Sequence, residues 1–413
     1  MVGIHHVLLR KSMEKPLSVG CAIVTGSIIA ATVISWLLKT RENQRPKSRK
    51  ADLHVNGVAG LIGNTPLIRL HSLSEATGCE ILAKAEFMNV GGSTKDRIAL
   101  GIIEDAEVRG LIQPNCGCTI FEGTVGSTGI SLAVIARAKG YLCHIVMPDD
   151  QAQEKYAIIE ALGAFVEKVR PVSIVDTNHY VNIARRRAEE MNLAADATSS
   201  AARGFFCDQF ENMANFKTHL RVTGPEIFAD VNGHLDAFVM GAGTGGTLGG
   251  VAHFLKPLLP DLKIVLADPD GSGLFNKVKH NVMYTPEQAE GKRRRHQVDT
   301  IVEGIGNNRI TSILRLVLDG CVDDAVRVSD QDAVEMSRYL MREEGLFVGS
   351  SSAVHCVAVC RVAKQLGPGH TLLTLLCDHG SRHLTKFWSP TYIQEAGLTP
   401  TCTSLSLFEI KEI

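Results

Sequence analysis

The rhythm of apolar and polar positions changes several times along the chain, and each rhythm predicts an element. From residue 17 to residue 38 there is no charged side chain, and Val, Ile, Ala and Leu dominate the run. At 1.5 Å per residue this stretch makes about 33 Å of helix, enough to cross a bilayer core with some tilt. It is too long for the apolar part of a signal peptide and too evenly apolar for an amphipathic transit segment. Lys39, Arg41, Arg45, Lys47, Arg49 and Lys50 follow against one acid, Glu42, while Arg10, Lys11 and Lys15 precede it against Glu14. The positive-inside rule then leaves the bulk of the chain in the cytosol. The expectation is a short tail (1–16), one transmembrane helix (17–38) and a polar tether (39–54). The fit is to a single-pass anchor of the mitochondrial outer membrane, with the endoplasmic reticulum as alternative.

Past the tether, short apolar runs alternate with segments of helical period. Residues 62–70 read as a turn into a strand and 81–86 as another strand. A helix beginning at Lys95 continues through Ile98, Ile102, Ile103 and Ala106. Strand-like runs at 118–121, 143–147 and 165–169 each precede a helical segment, at 128–139, 153–162 and 179–191. The pattern resumes at 235–240, 264–267 and 372–378. Alternation at this spacing predicts α/β architecture, a parallel sheet with helices on both faces.

Several junctions carry unusual residues. Asn89-Val90-Gly91-Gly92-Ser93-Thr94-Lys95-Asp96-Arg97 places a lysine on the first turn of a helix, where the partial positive charge of the helix end disfavours a cation. One chemical use of such a lysine is nucleophilic, forming an imine with an aldehyde cofactor. Gly123-Thr124-Val125-Gly126-Ser127-Thr128 offers hydroxyls and amides at a helix start, a setting for an anion such as a carboxylate. Gly241-Ala242-Gly243-Thr244-Gly245-Gly246-Thr247 forms a phosphate cup on the same logic. By spacing alone it is also a dinucleotide loop, with Asp268 standing where a ribose-binding acid would be. The run Ser350-Ser351-Ser352, between a strand-like run that begins at Gly345 and a long helix to Gln365, reads as a helix cap.

Composition narrows the choice. The 413 residues are 45% apolar and 21% charged, and the formal net charge of -1 gives no reason to expect a nucleic acid partner. Residues 292–295, Lys-Arg-Arg-Arg, read as a solvated loop. The 11 cysteines are odd in number and scattered, so they form no disulfide framework of the secreted kind. Cys116/Cys118 and Cys356/Cys360 read as packing rather than metal ligands, and no metal is expected.

Taken in order, these motifs resemble the cysteine synthase and cystathionine β-synthase family of pyridoxal-phosphate enzymes. The matching stretches are residues 62–70, 89–97, 243–247, Glu303-Gly304-Ile305-Gly306, the serine run and 378–382. The resemblance settles the glycine loop as a phosphate site, since a dinucleotide explains nothing about Lys95. It implies pyridoxal-phosphate fold type II, similar to the tryptophan synthase β-subunit. That means two three-layer α/β/α lobes with mostly parallel sheets, spanning 55–398, with the smaller lobe at about 88–207 and a tail at 399–413.

It also implies residue roles. Lys95 holds the cofactor and moves the α-proton of the substrate. Gly243, Thr244, Gly245, Gly246 and Thr247 hold the phosphate, and Ser351 faces the pyridine nitrogen. Thr124, Gly126, Ser127 and Thr128 bind the substrate carboxylate, with Gln209 near it. The chain departs from the family pattern in that Val125 replaces a serine, Ser127 replaces the asparagine that touches the cofactor, and Asn307-Asn308-Arg309, after Gly306, differs from the usual aromatic and proline pattern. The implied reaction is β-replacement on an O-activated L-serine, O-acetyl-L-serine plus sulfide giving L-cysteine and acetate, by a homodimer. The alternatives are a cystathionine synthase-like or serine dehydratase-like lyase and, in another class, a catalytically silent pyridoxal-phosphate-binding membrane protein.

Overall fold

Strand β10 (Thr371–Leu376) is buried along its whole length and so is β7 (Ala237–Met240), as expected of strands covered on both faces. They lie side by side in a sheet whose order is β1-β2-β10-β7-β8-β9, with β1 at Leu67–Arg69, β2 at Glu80–Ala85, β8 at Lys263–Pro269 and β9 at Asp324–Val328. All neighbours are parallel except β1, which runs antiparallel to β2 at the edge. A second, fully parallel sheet has the order β5-β4-β3-β6, from Phe165–Val169, Leu142–Pro148, Thr119–Gly123 and Gly204–Phe206. This is the two-sheet α/β architecture of the sequence reading. The computed structural model describes residues 55–285 and 300–401, so the apolar run at 17–38, the tether, the basic stretch at 292–295 and most of the tail lie outside the described residues. Among the described residues, no helix is long and apolar enough to cross a membrane.

Two local expectations need correction. The run before the serines is not a strand; it makes a single bridge, Val348 to His379. The helix Asp330–Glu344 ends in left-handed Gly345 and the next helix starts at Ser350, which leaves too few residues for a ladder. Nor does the serine run cap that helix with its side chains: the N-cap is Gly349, without a side-chain bond, and the three serines lie inside the first turn. The helix Ser350–Leu366 is buried from Ser350 through Ala363, the environment of a helix with no polar face.

The helix Lys95–Val108 is held from both sides. Ile98, Ile102, Ile103 and Ala106 pack into the core of the smaller sheet with Ile120, Ile130 and Ile145. On the other side Arg97, fully buried, forks onto Glu86, Nε to Oε2 at 2.7 Å and Nη2 to Oε1 at 2.8 Å, just past the end of β2. The same guanidinium reaches Glu226 at 2.9 and 2.8 Å. Burial would raise the Glu86 carboxyl, but Arg97 outweighs it and holds Glu86 below its ordinary range. Replacing Arg97 by leucine leaves Glu86 buried without its partner, and should lower unfolding free energy by about 3–5 kcal/mol, read as a reduced midpoint in urea.

Candidate active site

In parallel α/β sheets, ligands collect beyond the carboxyl ends of the strands, because the following helix N-termini and loops converge there. The segments that follow β2, β3, β4, β7 and β10 here line one cavity of about 560 Å³. It brings together Lys95, Thr124, Ser127, Thr128, Gln209, Gly243, Thr244, Gly245, Thr247 and Ser351. Gly126 and Gly246 do not line it. A side chain on Gly126 (φ +136°) would strike the Lys155 stem, and one on Gly246 would strike Asn215.

Lys95 opens its helix as the sequence predicts, but Thr94, the N-cap residue, makes no side-chain cap. Ser93 Oγ instead accepts from the Lys95 amide at 3.2 Å, and Thr94 Oγ1 is buried with no protein partner. The approach to Lys95 is stitched to the end of β10: Thr94 N donates to Cys377 O at 3.1 Å, and Ser93 bridges Asp378. Asp96 turns the other way, accepting from Gly91 N at 2.6 Å and from Ser131 Oγ at 2.5 Å.

Across the cavity, the loop 241–245 leads into the helix Gly246–Leu255, whose first-turn amides have no carbonyl to bond within the helix. Its side-chain supports are neutral. His355 Nε2 accepts from Gly241 N at 2.8 Å while Nδ1 donates to Leu375 O at 2.9 Å, and burial pushes this imidazole down to about 4. His219 lies 3.1 Å from Thr247 Oγ1, and burial, with the charges of Arg97 and Lys95, holds it well below its ordinary range. Asn215 Nδ2 donates to Thr244 Oγ1 at 2.9 Å, and Asn307 Nδ2 to Gly243 O at 3.2 Å. Amides at a helix start with no competing carboxylate fit a phosphate. Asp268 does not serve this loop: its Oδ2 accepts from Phe275 N at 2.7 Å at the start of the helix Leu274–His280, so the dinucleotide reading has no ribose acid.

The third wall is the start of the helix Ser127–Lys139. Thr128 Oγ1 donates to Gln209 Oε1 at 2.6 Å, and Gln209 donates to both oxygens of Glu122, from N at 3.3 Å and from Nε2 at 3.4 Å. Burial, then the nearby Asp208 charge, pushes the Glu122 carboxyl up to about 8. In the serine run, Ser350 Oγ accepts from Glu303 N at 3.0 Å and Ser352 Oγ from Cys377 N at 2.8 Å. Those two brace the backbone, while Ser351, between them, lines the cavity.

Sequence reasoning assigned no role to a cluster of charges on the cavity wall. Lys155 forms a buried ion pair with Glu303, His383 Nδ1 lies 3.3 Å from the same carboxylate, and His383 Nε2 lies 3.0 Å from Asp378 Oδ2. Burial alone would lower His383, but Asp378 outweighs it and raises the imidazole; Asp378 in turn is held at about 2, the His383 charge overcoming burial. Ser127 Oγ donates to Asp378 at 3.4 Å. Lys155 sits in an ordinary helix, and no spacing signal marks it as facing Glu303, 148 positions on.

Comparison with known proteins accords with this geometry. The family described as pyridoxal-phosphate dependent enzyme matches residues 58–378. A cysteine synthase 2 of Emericella nidulans is 56% identical over 342 residues, covering 81% of this chain and 80% of that protein. A Saccharomyces cerevisiae protein whose name includes the words mitochondrial cysteine synthase is 50% identical over 353 residues, covering 85% and 86%. The crystal structure of O-ureido-L-serine synthase superposes with a TM-score of 0.66 at 32% identity, covering 81% of this chain and 95% of that one.

Glu122 gives a prediction with a definite sign. Its folded pKa, about 8, lies above the ordinary 4.5, so the folded state keeps a proton that the unfolded chain releases. Stability is unaffected below the lower value, falls as pH rises between the two, and is level above. Glu122→Gln should flatten that fall, read as a urea midpoint less dependent on pH across the window.

Proposed function

This chain belongs to the family of pyridoxal-phosphate dependent enzymes as a cysteine synthase-like member, and on that premise we propose the substrates and residue roles that its cavity supports. The observation that carries the reading is that Lys95 and the loop 241–247, far apart in sequence, face one cavity. The cofactor, when bound, supplies an aldehyde for covalent attachment and a ring that withdraws electrons from the substrate α-carbon.

Lys95 holds the aldehyde and moves the proton at the α-carbon. The amides of Gly243, Thr244, Gly245, Gly246 and Thr247, with the two threonine hydroxyls, hold the phosphate at the positive end of the helix dipole. Ser351 would give the pyridine nitrogen a neutral partner, which would favour loss of a β-substituent. Thr124, Gly126, Ser127 and Thr128 receive the substrate carboxylate, with Gln209 bracing Thr128. The donor is an O-activated L-serine, O-acetyl-L-serine, and sulfide replaces the leaving acetate. The catalytic unit spans 55–398, is anchored through residues 17–38 in the mitochondrial outer membrane with this unit in the cytosol, and works as a homodimer. The mitochondrial assignment draws on the name of the yeast relative.

A second reading has its own support. Val125 offers no donor where the family has a serine, and Ser127 spends its hydrogen on Asp378. A protein that binds the cofactor and turns nothing over would be built this way.

Visible absorption separates the two. With the cofactor loaded, O-acetyl-L-serine should shift the absorption band, and added sulfide should restore it with release of L-cysteine; an unchanged band supports the silent binder. Lys95→Ala should stay folded and lose both the lysine-linked band and turnover by several orders of magnitude. For the anchor, carbonate extraction of membranes should leave the full chain in the pellet, and release to the supernatant rules out a spanning helix.

A further inference from the structure

At the opposite end of β3 from the cavity, the chain doubles back through Cys116-Gly117-Cys118 just before the strand begins at Thr119. Gly117 has φ +78°, the left-handed conformation that brings its two neighbours to the same side. The thiols end 3.0 Å apart. Two sulfurs at that separation are inside ordinary contact and need about 1 Å of movement to reach the covalent length of about 2.05 Å. The two cysteines are not alike. Cys116 is partly exposed and its Sγ donates to the Gln113 carbonyl at 2.8 Å, whereas Cys118 is 1% exposed and its Sγ accepts from Arg203 N at 3.3 Å.

We propose that Cys116 and Cys118 form a reversible thiol–disulfide exchange site, with Cys116 as the attacking thiol and Cys118 as the resolving one. The partner is a low-molecular-weight disulfide, RS–SR. Cys116 thiolate attacks one sulfur, the S–S bond breaks, and one RS⁻ leaves as the mixed disulfide forms. Cys118 then loses its proton and attacks Cys116 Sγ, expelling the second RS⁻. The protein loses two protons and two electrons, and RS–SR is reduced to two RSH.

Local chemistry supports this order. The hydrogen bond from Cys118 draws the Cys116 thiol below its ordinary range, while burial, followed by the bond to Cys116, pushes Cys118 up. The thiolate is the nucleophile in exchange, so the exposed member attacks first. Most of the other described thiols, at Cys79, Cys143, Cys207, Cys356, Cys360 and Cys377, are buried and closed to such a reagent. Cys321 is partly exposed, but burial raises its thiol. A bridge that closes so short a loop removes little chain entropy, so it stabilises the fold weakly and remains open to reduction. This inference stands apart from the chemistry of the cavity.

The test uses the full-length, cofactor-loaded protein and glutathione disulfide. After acid quench, denaturation and alkylation, trypsin releases the peptide 110–137, in which Cys116 and Cys118 are the only cysteines. The expected result is a peptide lighter by two hydrogens and carrying no alkyl group, which gains two alkyl groups if dithiothreitol is added first. Cys118→Ser should instead hold one glutathione on Cys116, and Cys116→Ser should leave Cys118 unmodified. A wild-type peptide that stays doubly alkylated, or one that keeps a stable glutathione adduct beside a free Cys118, overturns the proposal.

Discussion

The buried fork between Arg97 and Glu86 is the constraint on which the cavity depends. The helix Lys95–Val108 packs its apolar face into the smaller sheet, yet its first residue must face a pocket walled largely by the larger one. Hydrophobic contact alone fixes how deep such a helix sits and says little about its rotation or register, because it is non-directional. A planar guanidinium bound at two points to Glu86 fixes both. Glu226 adds a further pair of bonds, and Lys84 joins the group through Glu226 at 3.4 Å while holding Asp230 at 2.6 Å. Lys95 and Asp96 precede the fork directly, so their directions are set with it.

From that anchor the cavity is assembled by shared bonds rather than by one element. Asp96 ties the Lys95 helix to Ser131 on the helix that follows the 124–128 loop, and the backbone of Thr94 is held by Cys377. The 241–247 loop is braced from behind by His355, Asn215 and His219, two of them imidazoles kept neutral by burial. This leaves the amides of the helix start as the main source of positive potential on that wall. Elsewhere on the cavity wall Lys155, His383, Glu303 and Asp378 alternate in sign, so each buried charge has an opposite neighbour. Buried ions arranged in this way hold a geometry more than they add stability.

The positions where the sequence leads us to expect a departure from the family pattern also acquire a physical meaning. Ser127 is shorter than an asparagine and its hydroxyl is bonded to Asp378. Asp378 is itself held by His383, so the contact is part of the charged wall. The segment after Gly306 departs as well, and there Asn307 reaches back to the Gly243 carbonyl while Arg309 lies over the Phe210 ring at 5.0 Å. In both places the unfamiliar residue is tied to the wall of the same cavity.

Much of this was legible in the chain itself. Continuous apolar runs between helical segments determine parallel strands, since only strands covered on both faces tolerate them, and β7 and β10 are buried throughout. Glycine and hydroxyl clusters at strand ends determine helix starts open to anions, because that chemistry is local. Tertiary structure alone decided the rest. The facing of Lys155 onto Glu303, the turn of Asp268 toward a helix start and the meeting of Cys116 with Cys118 depend on directions that no spacing encodes. Side-chain direction follows from packing and from backbone conformations such as the left-handed Gly117, and those are fixed only when distant segments meet.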